Sequence, residues 1–284
     1  MRRRAIPQNP LQHRASGRAS GWRSSVWDGS DTSQPGGLRD PETGAKLNAR
    51  KAMAKLNLIF DADDTLWESN VHFLEAEDEF VAALRKAGCP LDESQIRALV
   101  REHELEVIKI HGYGRRPYVV ALMKVLQTLS AKMDCLRSMS TEVERIGRRL
   151  LTRQCQVRPG VAETLAELVT RHRLILFTKG QPDEQLAKLK SSQLEGFFSH
   201  AEVAPEKDLS AYQALLGLLK LPLEQTVMIG NSPRSDINPA LKAGIRAVYI
   251  PHPQTWVHEQ EELEVSGDGR VTTVLSFAQL RHIF

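Results

Sequence analysis

Four apolar runs of strand length alternate with segments of helical periodicity, and this alternation restricts the possible folds of the chain more than any other feature. The apolar runs occupy residues 56–60, 174–177, 226–229 and 247–250. Helical spacing of the apolar residues is found in residues 161–171, 183–193, 209–219 and 235–243. Fully apolar strands connected by helices are typical of parallel sheets that are covered on both faces. We therefore predict an α/β fold with a Rossmann-like parallel sheet core.

Residues 68–157 interrupt this alternation, because their apolar residues keep a helical period and no convincing strand occurs among them. The interruption lies between the first and second strands of the predicted sheet. Ligands of such sheets bind beyond the carboxyl ends of the strands, so an insert at this point would lie over the ligand-binding edge. We predict an α/β core formed by residues 53–67 and 158–284, with an all-helical domain inserted at 68–157.

The net charge of +3 is divided unevenly along the chain. Residues 1–52 contain ten Lys and Arg and four Asp and Glu, a local charge of +6, which leaves −3 on the remainder. Their few apolar residues follow no period, so we predict a disordered basic tail at 1–52. Three interpretations of this tail are open: an organellar transit peptide, an arm that binds nucleic acid, or a functionless extension before a start at Met53. We favour the last, and the mildly acidic remainder argues against a nucleic-acid partner.

The cysteine content and the hydropathy indicate a protein of a reducing compartment. The three cysteines, Cys89, Cys135 and Cys155, are far apart and form no C-x-x-C pair, which argues against a disulfide framework and a thiolate zinc site. No run of about 18 uncharged apolar residues occurs, so no transmembrane helix is expected. We predict a cytoplasmic protein without a membrane partner, and the sequence does not define an oligomeric state.

Three carboxylates follow the first apolar run within four residues, at Asp61, Asp63 and Asp64. Charges this close repel one another, so the cluster is costly unless a cation or buried donors compensate for it. Oxygen ligands suit Mg²⁺, and the cluster is compatible with a magnesium site. An Asp-rich surface turn is the alternative, and the cluster alone does not decide between the two.

The segment Asp61-Ala62-Asp63-Asp64-Thr65 resembles the first motif of the haloacid dehalogenase (HAD) superfamily of phosphotransferases. Three further motifs of that superfamily follow in the right order: Thr178 at the end of a core strand, Lys207 before a helix, and Gly230-Asn231-Ser232-Pro233-Arg234-Ser235-Asp236. A chance match of all four motifs in order is remote. The chain is therefore identified as a HAD-like hydrolase of the phosphatase type with a helical cap.

The resemblance implies a role for each catalytic residue. Asp61 would be the nucleophile and form an aspartyl-phosphate. Asp63 would protonate the leaving alcohol and then deprotonate the hydrolytic water. Thr178 would donate a hydrogen bond to the phosphoryl oxygens, and Lys207 would place a positive charge between Asp61 and the phosphate. Members that cleave carbon–halogen bonds lack the acid at position 63, so its presence favours a phosphatase.

The resemblance also implies a Mg²⁺ site formed by Asp61, Asp63, Asp236 and Asn231. Asp236 would contribute its side chain and Asp63 its backbone carbonyl. Asn231 stands where an acid is usual, so we expect it to orient a water or the ligand, and its neutrality puts the metal affinity in question. Asp64 is a milder departure, at a position where glycine is frequent.

The helical domain at 68–157 resembles the cap that closes over the active site in one subgroup of the superfamily, where it would set specificity. Within it, residues 111–117 are the least helix-like stretch. We hypothesise that Tyr113 or Arg115 faces the leaving group of the substrate, because a loop flanked by glycines can approach a ligand closely. An ordinary helix–helix turn is the alternative.

Three residues next to the motifs, Thr65, Lys179 and Gly180, are assigned to substrate binding. The predicted function is a Mg²⁺-dependent phosphomonoester hydrolase that acts on a small phosphorylated metabolite. The alternative is a catalytically silent HAD-fold binding or scaffold protein, for which Asn231 is the only support.

Overall fold

A computed structural model describes residues 55–264, 267 and 269–284. The predicted tail at 1–52 lies outside the described residues. In chain order the main elements are β1 (Asn57–Phe60), β2 (Trp67–Glu68), α1 (Asn70–Lys86), α2 (Glu93–His111), α3 (Arg115–Ser130), α4 (Ser140–Leu151), β3 (Gln156–Val157), α5 (Val161–Leu168), β4 (Arg173–Lys179), α6 (Pro182–Ser191), β5 (His200–Ala204), α7 (Leu209–Leu219), β6 (Thr226–Gly230), α8 (Asn238–Lys242), β7 (Arg246–Tyr249), β8 (Val271–Thr273) and α9 (Leu280–Ile283). Single helical turns are found at Asp134–Leu136, Glu195–Phe197, Leu223–Gln225, Val257–Glu259 and Phe277–Gln279, and a π-helical turn at Pro233–Ile237.

Within the described residues, one parallel sheet has the strand order β5-β4-β1-β6-β7-β8. β1 lies near its centre, with Asn57 aligned with Arg173 of β4 and with Thr226 of β6. This architecture confirms the predicted Rossmann-like α/β fold. Because β1, β4 and β6 run in the same direction, the residues at their carboxyl ends meet at one edge of the sheet.

Alternate residues of β1 are buried on opposite faces of the sheet. Leu58 and Phe60 belong to one apolar cluster, which they share with Leu165 of α5. Ile59 belongs to a second cluster, together with Tyr212 of α7. All three β1 side chains are fully buried, and each such burial stabilises the fold by about 1.5–3 kcal/mol. The strand that carries Asp61 at its end is therefore held firmly from both sides.

The helices α1 to α4 form a helical segment (Asn70–Leu151) with an apolar cluster of its own. α2 begins with a capping box, in which the Asp92 carboxylate accepts from the Gln95 N–H and the Gln95 side chain accepts from the Asp92 N–H. The strands β2 and β3 connect the segment to the core as an antiparallel pair, with Trp67 opposite Val157. The predicted all-helical insert at 68–157 therefore has strand residues at both of its ends, Glu68 and Gln156–Val157.

The structure adds elements that the apolar pattern did not predict. β5 has no continuous apolar run, because it contains His200 and Glu202, whose side chains lie 2.9 Å apart. β8 is only three residues long. The predicted helix at 235–243 begins earlier, as the π-helical turn Pro233–Ile237, and continues as α8. None of the helices in the described part of the chain is long and apolar enough to cross a membrane.

Candidate active site

Three strand ends bring predicted site residues together. Asp61 directly follows β1, and its N–H donates to the Ile229 carbonyl of β6 at 2.9 Å. Thr178 lies near the end of β4, on the other side of β1, and Asn231 directly follows β6. Asp61, Thr178 and Asn231 are all buried. The predicted convergence at the carboxyl edge is therefore present.

The Lys207 ammonium bridges two buried carboxylates. It donates to Asp61 Oδ1 at 2.8 Å and to Asp236 Oδ1, and its side chain is only 1% exposed. Burial disfavours the charge of Lys207, but Asp236 and Asp61 outweigh burial and raise its pKa. Burial and the Asp61 charge raise the pKa of Asp236 to about 7, and burial also raises the pKa of Asp61. A single cation therefore leaves this carboxylate pair under-compensated.

The π-helical turn Pro233–Ile237 holds Asp236 in place. The Ser232 N–H donates to Asp236 Oδ2 at 2.9 Å. Gly230 lies so close that a Cβ there would be 2.2 Å from Asp236 Oδ2. A π-helical turn accommodates an extra residue, and such turns are frequent at functional sites. The missing side chain at position 230 leaves the space that the Asp236 carboxylate occupies.

Thr65 contacts two of the site residues through its hydroxyl group. Its Oγ1 lies 2.9 Å from Asp61 Oδ2 and 3.0 Å from Asn231 Oδ1. Thr65 is completely buried and does not line the cavity described below, in contrast to its assignment to substrate binding. It therefore orients Asp61 and Asn231.

The Asp63 carboxylate has a different set of partners. Lys188 Nζ donates to both of its oxygens at 3.0 Å, Gln185 Nε2 donates at 2.8 Å and Trp67 Nε1 donates at 2.6 Å. Burial opposes ionisation most strongly, but Lys188, with Gln185 and Trp67, outweighs it and lowers the pKa of Asp63. The ionised form of Asp63 is thus favoured.

Asp64 has a backbone φ of 63°, in the left-handed region that glycine favours. Its carboxylate accepts from the backbone N–H of Ser69 at 2.8 Å and of Asn70 at 3.0 Å. These bonds satisfy the first N–H groups of α1, and they explain why an aspartate is tolerated at this position. Burial raises the pKa of Asp64 to about 7.

Lys179 connects the sheet edge to the helical segment. Its Nζ donates to Glu206 at 3.2 Å and to Glu259 at 2.5 Å, and it lies 4.1 Å from the centre of the Tyr113 ring. The Tyr113 hydroxyl donates to Glu206 at 2.7 Å. Gly180 follows with a φ of 139°. Lys179, Gly180 and Tyr113 all line the cavity described next.

A cavity of about 150 Å³ lies between the sheet edge and the helical segment. Its floor includes Asp61, Thr178 and Lys207. Its roof is formed by side chains of the helical segment, which include Phe73, Glu104, Ile108, Tyr113 and Tyr118. The carboxylates and lysines of the floor thus face a mainly apolar roof across a small volume.

Arg115 lies outside this cavity, in contrast to the hypothesis from the sequence. Its guanidinium donates to the Arg153 carbonyl at 2.8 Å, and its N–H donates to Glu184 at 3.0 Å. The carbonyl and Glu184 hold Arg115 between the helical segment and α6. Of the two residues in that hypothesis, only Tyr113 is brought to the cavity.

The profile of one protein family matches most of the described chain. The match, to "haloacid dehalogenase-like hydrolase", spans residues 57–244. The chain belongs to the haloacid dehalogenase-like hydrolases.

Individual relatives of this HAD-like hydrolase include an enzyme and solved structures. A glyceraldehyde 3-phosphate phosphatase from Methanothermobacter thermautotrophicus is 23% identical over 242 residues, which cover 80% of this chain and 98% of the relative. A HAD-like family hydrolase structure from Xanthomonas campestris is 28% identical, covers 81% of this chain and 94% of that chain, and has a TM-score of 0.66. A putative HAD-hydrolase from Bacillus subtilis bound to magnesium shares the fold at 19% identity, with 81% and 98% coverage and a TM-score of 0.53.

The donor set of this HAD-like hydrolase fits a magnesium ion. Asp61, Asp236 and Asn231 offer only oxygen donors, which Mg²⁺ prefers. Asp61 and Asp236 are two carboxylates that share one lysine, which leaves a net negative charge if both are ionised, and a divalent cation would supply further positive charge. The Asp63 carboxylate is bound to Lys188, which leaves its backbone carbonyl for the predicted role.

A second group of potential metal ligands lies beside the site. Among the described residues, Asp64, Glu68 and His252 each bring one ligand atom within 4.8 Å of the others. However, Arg158 lies 3.5 Å from Glu68 and also donates to the Asp64 carbonyl. His252 lies 3.1 Å from Glu68. These contacts already balance the group, so its geometry does not require an ion.

Several residues that line the cavity of this HAD-like hydrolase lie outside the predicted motifs. Gln185 and Lys188 lie three positions apart on α6, the first helix after Thr178. The sequence could have indicated them, because the first turns of that helix face the carboxyl edge of the sheet. Glu259 lies in the helical turn Val257–Glu259 after β7, outside the predicted motifs. Glu104 lies in the middle of α2, where a charged residue is normally solvated.

Gly230→Ala should push the Asp236 carboxylate out of place, because the added methyl group has no room. Overpacking of this kind costs about 1–3 kcal/mol, and we expect the free energy of unfolding in urea to fall by that amount. Gly217→Ala is the matched control: no atom lies within 4 Å of its Cβ, and alanine in helix α7 should add about 0.5–1 kcal/mol. A Gly230→Ala protein as stable as the wild type would contradict the close contact.

Proposed function

We propose that this HAD-like hydrolase is a Mg²⁺-dependent phosphomonoesterase that acts on a small organic phosphate through an aspartyl-phosphate at Asp61. One observation carries the proposal: Lys207 bridges Asp61 and Asp236 at the floor of the cavity. A nucleophilic carboxylate beside a fixed ammonium, with a second carboxylate across it, is the arrangement that attack on an anionic phosphoryl group requires.

The residues of the floor have separate tasks in this proposal. Asp61 attacks the phosphorus, held in orientation by the Thr65 hydroxyl 2.9 Å away. Lys207 offsets the negative charge that Asp61 and the phosphoryl oxygens bring together. Thr178 is buried at the same edge, and among the described residues no hydrogen bond holds its side chain, so its hydroxyl is available to the phosphoryl oxygens. A bound Mg²⁺ would supply further charge shielding, held by Asp61, Asp236, Asn231 and the Asp63 carbonyl.

Asp63 would move the protons. Its lowered pKa favours the carboxylate, which is the form that deprotonates the water attacking the aspartyl-phosphate. In the first half-reaction the protonated form of Asp63 would give its proton to the leaving oxygen, and the proton taken from the water in the second half-reaction would restore that form. Lys188 and Gln185 hold its carboxylate at fixed distances, so they are positioning residues for this step.

The helical segment would act as a cap over the reaction. Three contacts between the segment and the core close the cavity: Tyr113 to Glu206 at 2.7 Å, Gln181 to the His111 carbonyl at 2.5 Å, and the Arg115 N–H to Glu184 at 3.0 Å. Closure would limit the access of bulk water to the aspartyl-phosphate. The small cavity volume supports a small phosphorylated substrate, as does the phosphatase name of the curated relative.

The proposal predicts that the full chain hydrolyses 4-nitrophenyl phosphate in the presence of Mg²⁺. Removal of the metal with excess EDTA should reduce the rate to the uncatalysed level, and added Mg²⁺ should restore it. Release of 4-nitrophenol, followed by absorbance, is the measurement. Failure to hydrolyse this ester and a broad panel of metabolite phosphates would favour a catalytically silent binding protein instead, and turnover that persists in EDTA would contradict the metal requirement.

A further inference from the structure

Glu104 is an acid of the cavity lining that the proposed reaction does not use. It lies on α2, in the roof, four positions before Ile108, which also lines the cavity. Within the described residues, the Glu104 carboxylate has no hydrogen bond and no ion-pair partner. Glu104 is partly buried, and a carboxylate in such a position keeps its charge at some cost unless a cation pairs with it.

The cations of the cavity are already engaged elsewhere. Each of the three lysines in the lining contacts two carboxylates. Lys207 contacts Asp61 and Asp236, Lys179 contacts Glu206 and Glu259, and Lys188 contacts Asp63 and Glu184. The cavity lining contains neither an arginine nor a histidine. The described cavity lining therefore provides no cation that pairs with Glu104, and Arg101, outside the lining, acts on it without forming an ion pair.

The surroundings of Glu104 are aromatic and acidic. Phe73 of α1 and Tyr118 of α3 pack edge to face, with ring centres 5.1 Å apart, and both line the roof. Glu77 of α1 lies behind them, and one of its oxygens is buried without a hydrogen-bond partner. Burial, with the nearby Glu77 charge, raises the pKa of Glu104 to about 8 against the opposing effect of Arg101. Aromatic faces next to an unpartnered acid attract a cation more than a neutral donor.

We propose that the roof of the cavity binds a protonated amine, so that the substrate is the phosphate monoester of an amino alcohol. The phosphate end lies on the Lys207 and Thr178 floor, and the ammonium group at the other end pairs with Glu104 between Phe73 and Tyr118. This inference rests on the proposed phosphatase function and specifies its substrate class. It also predicts discrimination against phosphates with an anionic leaving group, because Glu104 repels a carboxylate.

The test compares matched esters with the full chain and Mg²⁺ at about pH 8.5, above the pKa of about 8 that burial gives Glu104. The ω-aminoalkyl phosphates from ethyl to hexyl are each compared with the n-alkyl phosphate in which a methyl group replaces the amine, and with the ω-carboxyalkyl phosphate. At the best chain length, kcat/KM for the amine should exceed that for the alkyl ester by about tenfold to a hundredfold, as expected for a charge-assisted hydrogen bond. The carboxyalkyl ester should be the poorest of the three.

Glu104→Gln keeps the shape of the side chain and removes its charge, so it should abolish the preference for the amine. Glu102→Gln, at an exposed position of the same helix, should keep both the activity and the amine preference of the wild type. The preference should also grow between about pH 6 and pH 8.5 in the wild type, as Glu104 ionises beside Glu77, Tyr118 and Arg101, while an alkylamine stays protonated. The Glu104→Gln protein should lack that growth.

Two results would overturn the inference: a wild-type preference for the alkyl or carboxyalkyl esters, or an amine preference that survives Glu104→Gln. If no ester is hydrolysed, the proposed function fails, and the amine site is judged by thermal unfolding. n-Alkylammonium ions should then raise the Tm of the wild type more than the matching n-alkanols do, and should not raise it in Glu104→Gln. An equal effect on both proteins would reject the site even without turnover.

Discussion

Replacing Asp61 by asparagine is expected to lower kcat for phosphate esters by on the order of 10⁴-fold or more, the size of loss seen when a nucleophile is removed. Asparagine keeps the shape of the side chain and can still accept the hydrogen bond from Thr65, which lies 2.9 Å away. It lacks the negative oxygen that attacks phosphorus and that pairs with Lys207 at 2.8 Å. The measurement is the initial rate of phosphate release at saturating Mg²⁺ and substrate.

The control for this change is Asp134→Asn. Asp134 lies in a short helical turn far along the helical segment from the cavity, and its side chain is 86% exposed, so its replacement should leave the rate unchanged. Circular dichroism of both variants separates a loss of chemistry from a loss of fold. An Asp61→Asn protein that stays folded and keeps a tenth or more of the wild-type rate would rule out Asp61 as the nucleophile.

Lys207→Met is expected to affect both stability and rate. Methionine fills most of the volume of the lysine but leaves Asp61 and Asp236 buried without their shared cation. Removing one partner from a buried ion pair typically costs about 3–5 kcal/mol, and we expect the free energy of unfolding in urea to fall by that amount. Loss of a fixed positive charge at the phosphoryl group should also lower kcat by about 10²- to 10³-fold.

Lys190→Met is the matched control, because Lys190 is exposed on α6 and makes no ion pair within the described residues. It should change the free energy of unfolding by less than about 0.5 kcal/mol. A Lys207→Met protein with wild-type stability would show that the Asp61 and Asp236 carboxylates are not buried together as the structure has them.

The sheet could be predicted because its central strands are buried on both faces. Such strands need continuous apolar runs, and the runs at 56–60, 174–177 and 226–229 correspond to β1, β4 and β6 within a few residues. β5 and β8 escaped prediction for the opposite reason. They lie at the two edges of the sheet. An edge strand has a neighbouring strand on one side only, so it does not require a continuous apolar run.

The floor of the site could be predicted for a related reason. Asp61, Thr178 and Asn231 lie at the ends of parallel strands, so their neighbourhood follows from the topology alone. The roof could not be predicted in this way. Its residues lie on helices whose relative rotation depends on packing within the helical segment. Arg115 shows the consequence, because it lies only two positions from Tyr113 in the sequence and yet does not line the cavity. Glu104 looked like an ordinary surface acid of an amphipathic helix.

The placement of Asp236 in the fourth motif could not be predicted from the sequence either. Asp236 reaches Lys207 because Pro233–Ile237 forms a π-helical turn and Gly230 leaves space for the carboxylate. A regular helix from the same sequence would rotate Asp236 by part of a turn relative to the floor. No periodicity in the sequence distinguishes the two.

The most direct test of the central claim is to trap the phosphorylated enzyme. Wild-type protein is mixed with Mg²⁺ and 4-nitrophenyl phosphate, quenched rapidly in acid during turnover, digested and analysed by mass spectrometry. We predict a phosphoryl group on Asp61 that is absent from the Asp61→Asn protein. Phosphate release with an unmodified Asp61, or a phosphoryl group found on Asp63 instead, would contradict it.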